Sequence, residues 1–244
     1  MTYSEQGIIL KRRNIGEADR LLVLLSRERG KMAVVARGVR RMGSKLAGHI
    51  EPLNEVKFFL AEGKKMDIVA GAEIVQDFSP ITESLDRYRS ASVMLELTDK
   101  LLADEEPNEE IYRLLSFSLA QLNGGESPKA VESFFEIRLI SLLGYQPELG
   151  RCLVCRNPVT PTDDLQLMEG GLVHEACGAG RNTMRVSAEQ IKLLRLMSLG
   201  DDRFFRITDL PAKAESIAPL AALLRSHVLE RSLVSERVIT GETS

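Results

Sequence analysis

The chain has no tryptophan, only three cysteines, and 5% aromatic residues among its 244 positions. Three cysteines, two of them three residues apart, are too few and too odd a number for a disulfide framework; they fit a reducing, cytoplasmic compartment. Long apolar runs are missing: the longest reach five residues, as in Leu21 to Leu25, against the ~20 that a membrane-spanning helix needs. The first ten residues hold neither a basic stretch nor a long apolar one, so no secretory signal is expected. With 44% hydrophobic and 27% charged residues, the composition is neither disordered nor collagen-like. Catalytic signatures are also absent, since no G-x-S-x-G, H-E-x-x-H or G-x-G-x-x-G occurs. Gly38 to Lys45 has the glycine spacing of a phosphate-binding loop, but Ser44 precedes Lys45. The lysine that should reach the phosphates is misplaced, so ATP hydrolysis is unsupported and no enzyme activity is expected. The carboxylate pairs Asp163-Asp164 and Asp201-Asp202 lie in polar, turn-like stretches and read as solvated.

Charge is uninformative as a total and informative as a distribution. The net charge is −3, yet eleven basic residues, mostly arginine, lie between Lys11 and Lys45 against three acidic ones. That local excess of eight inside an anionic chain is the footprint expected where a polyanion is held on one face. The guanidinium fork, which donates two parallel hydrogen bonds to phosphate oxygens, favours nucleic acid. Arg12, Arg13, Arg37, Arg40, Arg41 and Lys45 are the candidate phosphate contacts. Within residues 1 to 77 the aromatic side chains are Tyr3, Phe58 and Phe59. Successive strand residues face opposite ways, so at most one of Phe58 and Phe59 points outward and base stacking should be minor beside electrostatics.

Periodicity divides the chain into regions. Residues 1–78 hold five short β-rich runs, Gln6 to Lys11, Arg20 to Leu25, Lys31 to Val39, Leu53 to Leu60 and Lys65 to Val75, with glycine-containing breaks between most of them. One longer connection, Arg40 to Pro52, precedes the fourth run. This is the pattern of an OB-type barrel, and an SH3-like barrel fits nearly as well. Residues 79–148 read as helical: Leu85 to Leu102, then a helix capped by Asn108, then one with Ser127 as N-cap and Pro128 at its first position. After an insertion over 149–184, residues 185–244 carry a helix opened by a Ser187/Gln190 capping box and another over Leu220 to Leu233. The fold class is therefore α+β: an N-terminal barrel, a helical bundle and an inserted module.

The insertion holds the sharpest local chemistry. Cys152 and Cys155, then eighteen residues, then His174 and Cys177 make C-x2-C-x18-H-x2-C. Each pair suits a tight turn, and the spacer is long enough for a small hairpin that brings the pairs together. Thiolate and imidazole favour tetrahedral zinc in a closed, structural site. A redox pair would sit at a strand-to-helix junction, whereas Cys155 leads into Asn157-Pro158. His49 and His227 belong to no such pattern and read as surface or satisfied histidines.

Several of these residues also carry a family resemblance. Gly7-Ile8-Ile9-Leu10, Gly16 to Leu22, Gly30-Lys31 and Ala36 to Arg40 resemble the start of the bacterial RecO recombination mediators. Phe135 to Leu139, Leu143 to Pro147 and the Cys152/Cys155 pair resemble the family's second signature. The resemblance implies an N-terminal OB barrel, a helical bundle and a zinc module. It also implies a nucleoid-associated DNA repair and recombination protein that binds single- and double-stranded DNA and anneals complementary strands. Such a protein helps RecR place RecA on strands coated by single-strand-binding protein. Zinc-bearing relatives show four cysteines, so His174 at the third ligand position is a departure. Other readings of the residues themselves are a zinc-ribbon or OB nucleic-acid-binding regulator and a CxxC thiol oxidoreductase.

Overall fold

A computed structural model describes residues 1–44, 46–160, 162–226 and 228–229. The described chain resolves into two compact units, Met1–Gly124 and a second that begins at Gly125. The helical stretch 79–148 is thus divided at Gly124-Gly125, its first two helices belonging with the strands.

In the first unit, β1 (Thr2–Ile15), β2 (Asp19–Ser26), β3 (Gly30–Ala36), β4 (Glu55–Ala61) and β5 (Asp67–Gln76) close into a barrel in the order β1-β2-β3-β5-β4. β1 makes closure possible by serving two partners. Its first half pairs with β4 and its second half with β2, and the register shifts between Ile9 and Lys11. Such a bulge bends a strand from one sheet into the next. A short parallel contact, Val34 with Asp67 and Val35 with Ile68, seals the other side. This order and the parallel seal are those of an OB barrel and decide against the SH3-like alternative. The core is filled by Ile9, Leu22, Leu24, Val34, Val56, Phe58, Leu60 and Val69. Val39 and Ile50, from the long connection after β3, join that core.

A 3₁₀ turn (Ser79–Glu83) leads to α1 (Leu85–Leu101) and α2 (Glu109–Asn123). Leu85 and Tyr88 in the first turn of α1 are exposed; the buried face begins at Ser90. Asn108 caps α2 as expected, accepting the Ile111 N–H at 3.0 Å. Tyr112 and Ser116 of α2, with Gln6 of β1, donate to the buried Glu55 carboxylate at 2.6–2.9 Å and fasten the helix to the barrel.

The second unit packs α3 (Pro128–Leu142) against α5 (Ala188–Leu199) and α6 (Leu210–Ser226). The inserted module between α3 and α5 holds β6 (Leu165–Met168), β7 (Gly171–His174), the one-turn α4 (Glu175–Gly178) and β8 (Met184–Val186). Its sheet order is β7-β6-β8. The capping box at Ser187 is present in full. Ser127, by contrast, makes no side-chain cap bond, so Pro128, whose missing N–H is harmless at a helix start, marks that end alone. The expected helix from Leu220 starts ten residues earlier, because α6 carries Pro219 in its interior. Of the positions expected in it, 227 and 230–233 lie outside the described residues. Among the described residues no helix is long and apolar enough to cross a membrane.

Candidate nucleic-acid interface and metal centre

The barrel sorts the basic run into two groups. Six of its members have acidic partners, all of them supplied from outside residues 11–45. Lys11 meets Asp99, Arg12 and Arg20 share Glu51, and Arg29 lies 3.5 Å from Glu5. Arg27 pairs with Glu109 and Lys31 with Asp104, each at 3.1 Å. Much of the local excess read from the sequence is therefore neutralised within the unit. Arg13, Arg37, Arg40 and Arg41 are exposed and have no acidic partner among the described residues. Lys45 lies outside the described residues.

These four arginines are brought to one end of the barrel. Arg13 stands opposite Leu21, which stands opposite Val35, so it leaves β1 two residues before the β1–β2 turn and beside the end of β3. The segment after β3 folds back onto that turn. Gly38 donates its N–H to Asp19 Oδ1 at 2.7 Å, and Arg40 donates its backbone N–H to the Ala18 carbonyl at 2.9 Å. Arg40 Nη1 also reaches the Gly16 carbonyl at 3.3 Å. Arg37, Arg40 and Arg41 thus ride on a loop tied to the neighbouring turn at three points. Such a cluster of donors can hold successive phosphates without reading bases. Arg12 sits close by but is engaged by Glu51, a partner 39 residues away that no local pattern announces.

Of the two adjacent phenylalanines, Phe58 is fully buried and Phe59 is 37% exposed, as strand alternation requires. Phe59 lies beneath the Lys57 ammonium, 5.6 Å from the ring centroid, and packs on Gly71 of β5. It lies on the β1–β4–β5 face, in register with Ser4 near the start of β1 rather than with the arginine end.

The inserted module builds the second site. Cys152 and Cys155 occupy a tight turn closed by Arg156 N–H to the Cys152 carbonyl (3.0 Å) and Cys152 N–H to Asn157 (2.9 Å). Leu153 N–H to Leu172 (2.9 Å) pins that turn to β7. β7 ends at His174, and α4 then turns Cys177 back toward the same point. The ligand atoms of Cys152, Cys155, His174 and Cys177 all lie within 4.8 Å of one another. Tetrahedral zinc, with bonds to sulfur near 2.3 Å, would set them about 3.8 Å apart, so these four residues fit a closed metal centre. Burial pushes the Cys152 thiol up, but N–H groups of Cys155, His174 and Val154 outweigh it and bring it down to about 6. Burial and the two neighbouring sulfurs push Cys177 up to about 11. Three thiolates cannot gather here without a cation, and a divalent ion removes that conflict.

Asp163, read from the sequence as solvated, is part of this centre's surroundings. Its Oδ2 lies 3.6 Å from His174 Nε2, while His174 Nδ1 lies 3.4 Å from Cys155 Sγ. The Thr160 N–H holds its carboxyl below the usual range, and His174 adds to this. Asp201 is likewise engaged, by Arg203.

Comparison with known proteins finds matches over most of the chain. Residues 1–78 match the family described as Recombination protein O N terminal, and residues 82–235 the one described as Recombination protein O C terminal. Proteins named DNA repair protein RecO are similar over most of their length. The one from Bifidobacterium adolescentis is 31% identical over 245 residues, 97% of this chain and 98% of the relative. That of Cutibacterium acnes is 35% identical over 207 residues, covering 82% and 83%. That of a Roseiflexus species is 34% identical over 235 residues, covering 94% and 82%.

Proposed function

The chain belongs to the Recombination protein O family, and from that membership we propose that it works in DNA repair and recombination by holding sugar–phosphate backbones on its barrel. The observation that carries this reading is the group Arg13, Arg37, Arg40 and Arg41, exposed at one end of the barrel and without acidic partners among the described residues. Arg12 completes the surface by exchanging Glu51 for phosphate, and Lys45, outside the described residues, remains a candidate contact from the sequence alone. Bringing two polyanions together is opposed mainly by their mutual repulsion. A cationic end that binds backbone without selecting bases lowers that barrier, so annealing of complementary strands needs no bond made or broken. In the cell the protein binds single- and double-stranded DNA in the cytoplasm, at the nucleoid. With RecR it assists RecA onto single strands coated by single-strand-binding protein.

Cys152, Cys155, His174 and Cys177 hold a structural zinc ion that ties the Cys152 turn to the end of β7. When bound, the ion supplies charge compensation for the thiolates and cross-links the module; with four protein ligands it offers no open position for a reacting water. The lowered Cys152 thiol would also suit a thiol oxidoreductase. The convergence of His174 and Cys177 on the same point favours metal instead.

The test is annealing of complementary oligonucleotides coated with single-strand-binding protein, together with binding measured against salt. Wild type should accelerate annealing, and log K should fall linearly with log salt by about 0.7–0.9 per phosphate contact. The Arg40→Glu, Arg41→Glu double variant should stay folded and lose both activities. A flat salt dependence, or a double variant that binds like wild type, refutes the phosphate role.

A further inference from the structure

Building on the zinc reading above, we infer that Asp163 is a positioning residue for the metal centre, orienting His174 so that Nδ1 becomes the fourth ligand. The two ring nitrogens of His174 face different chemistry: Nδ1 is 3.4 Å from Cys155 Sγ, and Nε2 is 3.6 Å from Asp163 Oδ2. An imidazole binds a metal through its unprotonated nitrogen, and the other then carries the proton. The proton therefore belongs on Nε2, aimed at the carboxylate, and a closure of about half an ångström makes that contact an ordinary hydrogen bond.

Asp163 is built for this position. Its Oδ2 accepts the Thr160 N–H at 2.6 Å, and its own N–H donates to the Thr160 carbonyl at 3.2 Å. The next residue, Asp164, accepts the Glu175 N–H at 2.9 Å through its carbonyl. The carboxylate is thus anchored on one side by its own turn and on the other by the residue that follows His174. Asp163 and His174 each keep less than a third of their side-chain surface exposed. Charge gives a second reason. Three thiolates and a neutral imidazole leave one net negative charge around a divalent ion. A carboxylate on the far side of the ring adds another and raises the basicity of the ligating nitrogen.

The test is zinc affinity by competition with a chromophoric chelator, in four forms of the full chain: wild type, Asp163→Ala, His174→Cys and the double variant. Asp163→Ala should weaken zinc about 10- to 100-fold, the usual cost of losing an outer-shell partner of a ligating histidine. In the His174→Cys background the same change should cost less than about twofold, because no ring remains to orient. Long-range ¹H–¹⁵N spectra of the zinc-loaded wild type supply an independent readout: the proton should reside on His174 Nε2. Equal losses in both backgrounds, an Asp163→Ala affinity like wild type, or metal bound through Nε2 would each overturn the inference. A wild type that takes up no zinc would overturn the zinc reading itself, and this inference with it.

Discussion

Arg12 and Glu51 form an ion pair at the arginine end of the barrel, and the same carboxylate lies 3.3 Å from Arg20. Glu51 therefore competes with any phosphate for two guanidinium groups. Arg12 keeps 34% of its side-chain surface exposed, against 19% for Arg20, so Arg12 is the one a nucleic acid can reach. Glu51→Gln should raise affinity for a single-stranded oligonucleotide about threefold at low salt. It should also steepen the log K against log salt slope by about 0.7–0.9, the increment for one added contact. Stability should change by no more than ~1 kcal/mol, as for other partly exposed pairs. Fluorescence anisotropy across a salt series checks this. An unchanged slope would exclude Arg12 from the contact surface.

Alkaline pH should loosen the barrel through Tyr3. Its phenol donates to Asp67, and burial first, then that bond and the carboxylate's charge, push it up to about 12. Unfolded, it ionises near 10. A group raised in the folded state contributes its stability fully below the unfolded value and loses it as pH climbs through the folded one. The loss should therefore fall between about pH 10 and 12. Tyr112 shifts in the same direction, from burial and its bond to Glu55. Urea midpoints measured at intervals from pH 8 to 12 should fall less steeply for Tyr3→Phe than for wild type, although Tyr3→Phe starts lower at pH 8. Parallel curves would remove Tyr3 from the linkage.

What the sequence made legible follows the range of the interactions concerned. The strands were readable because alternation and glycine turns are local, and the Cys152/Cys155 and His174/Cys177 pairs were readable because each fits within one turn. The parallel seal of Val34 and Val35 against β5 was not, since it joins segments more than thirty residues apart by two residue pairs. Nor was the fate of the basic run: Asp99 reaches Lys11 from 88 residues away and Glu109 reaches Arg27 from 82. Asp163 looked solvated because its meeting with His174 depends on how the β6–β7 hairpin returns. The helix expected from Leu220 begins at Leu210 instead, which puts Pro219 in a helix interior, where a proline costs about 3 kcal/mol. The packing of α6 against α3 offsets that cost.

In the second unit, Glu136 and Arg225 meet at 2.7 Å with only 4% and 11% of their side-chain surfaces exposed. A charge this deeply buried depends on its partner. Arg225→Ala should cost about 3–5 kcal/mol, since it removes a cation that compensates the buried Glu136 carboxylate. Replacing both, as Glu136→Leu with Arg225→Met, should cost much less because the buried pair is removed as a unit. Chemical denaturation of the three proteins decides this, and a double variant as unstable as the single would assign the loss to packing instead.

Gly171 offers a way to open the metal module while leaving its ligands untouched. It opens β7 with φ +150°, and a Cβ there would sit 2.3 Å from the Glu148 carbonyl oxygen. Around that point Glu148 accepts the Leu172 N–H and donates to Gly170, both at 2.9 Å, so the segment that leads to Cys152 is laced to the strand that leads to His174. Gly171→Ala must push these segments apart and with them the two ligand pairs. Purified Gly171→Ala should hold less than about half an equivalent of zinc, where a structural site otherwise retains its ion. Hydrogen exchange should quicken from Glu148 to Val186. Gly180→Ala is the control: its φ is +76°, yet nothing lies within 4 Å of the added carbon. It should carry only about 1 kcal/mol of backbone strain and keep its zinc. Both variants should bind oligonucleotide as wild type does, because the arginines belong to the first unit. Loss of DNA binding in Gly171→Ala alone would instead tie the metal module to the nucleic-acid surface.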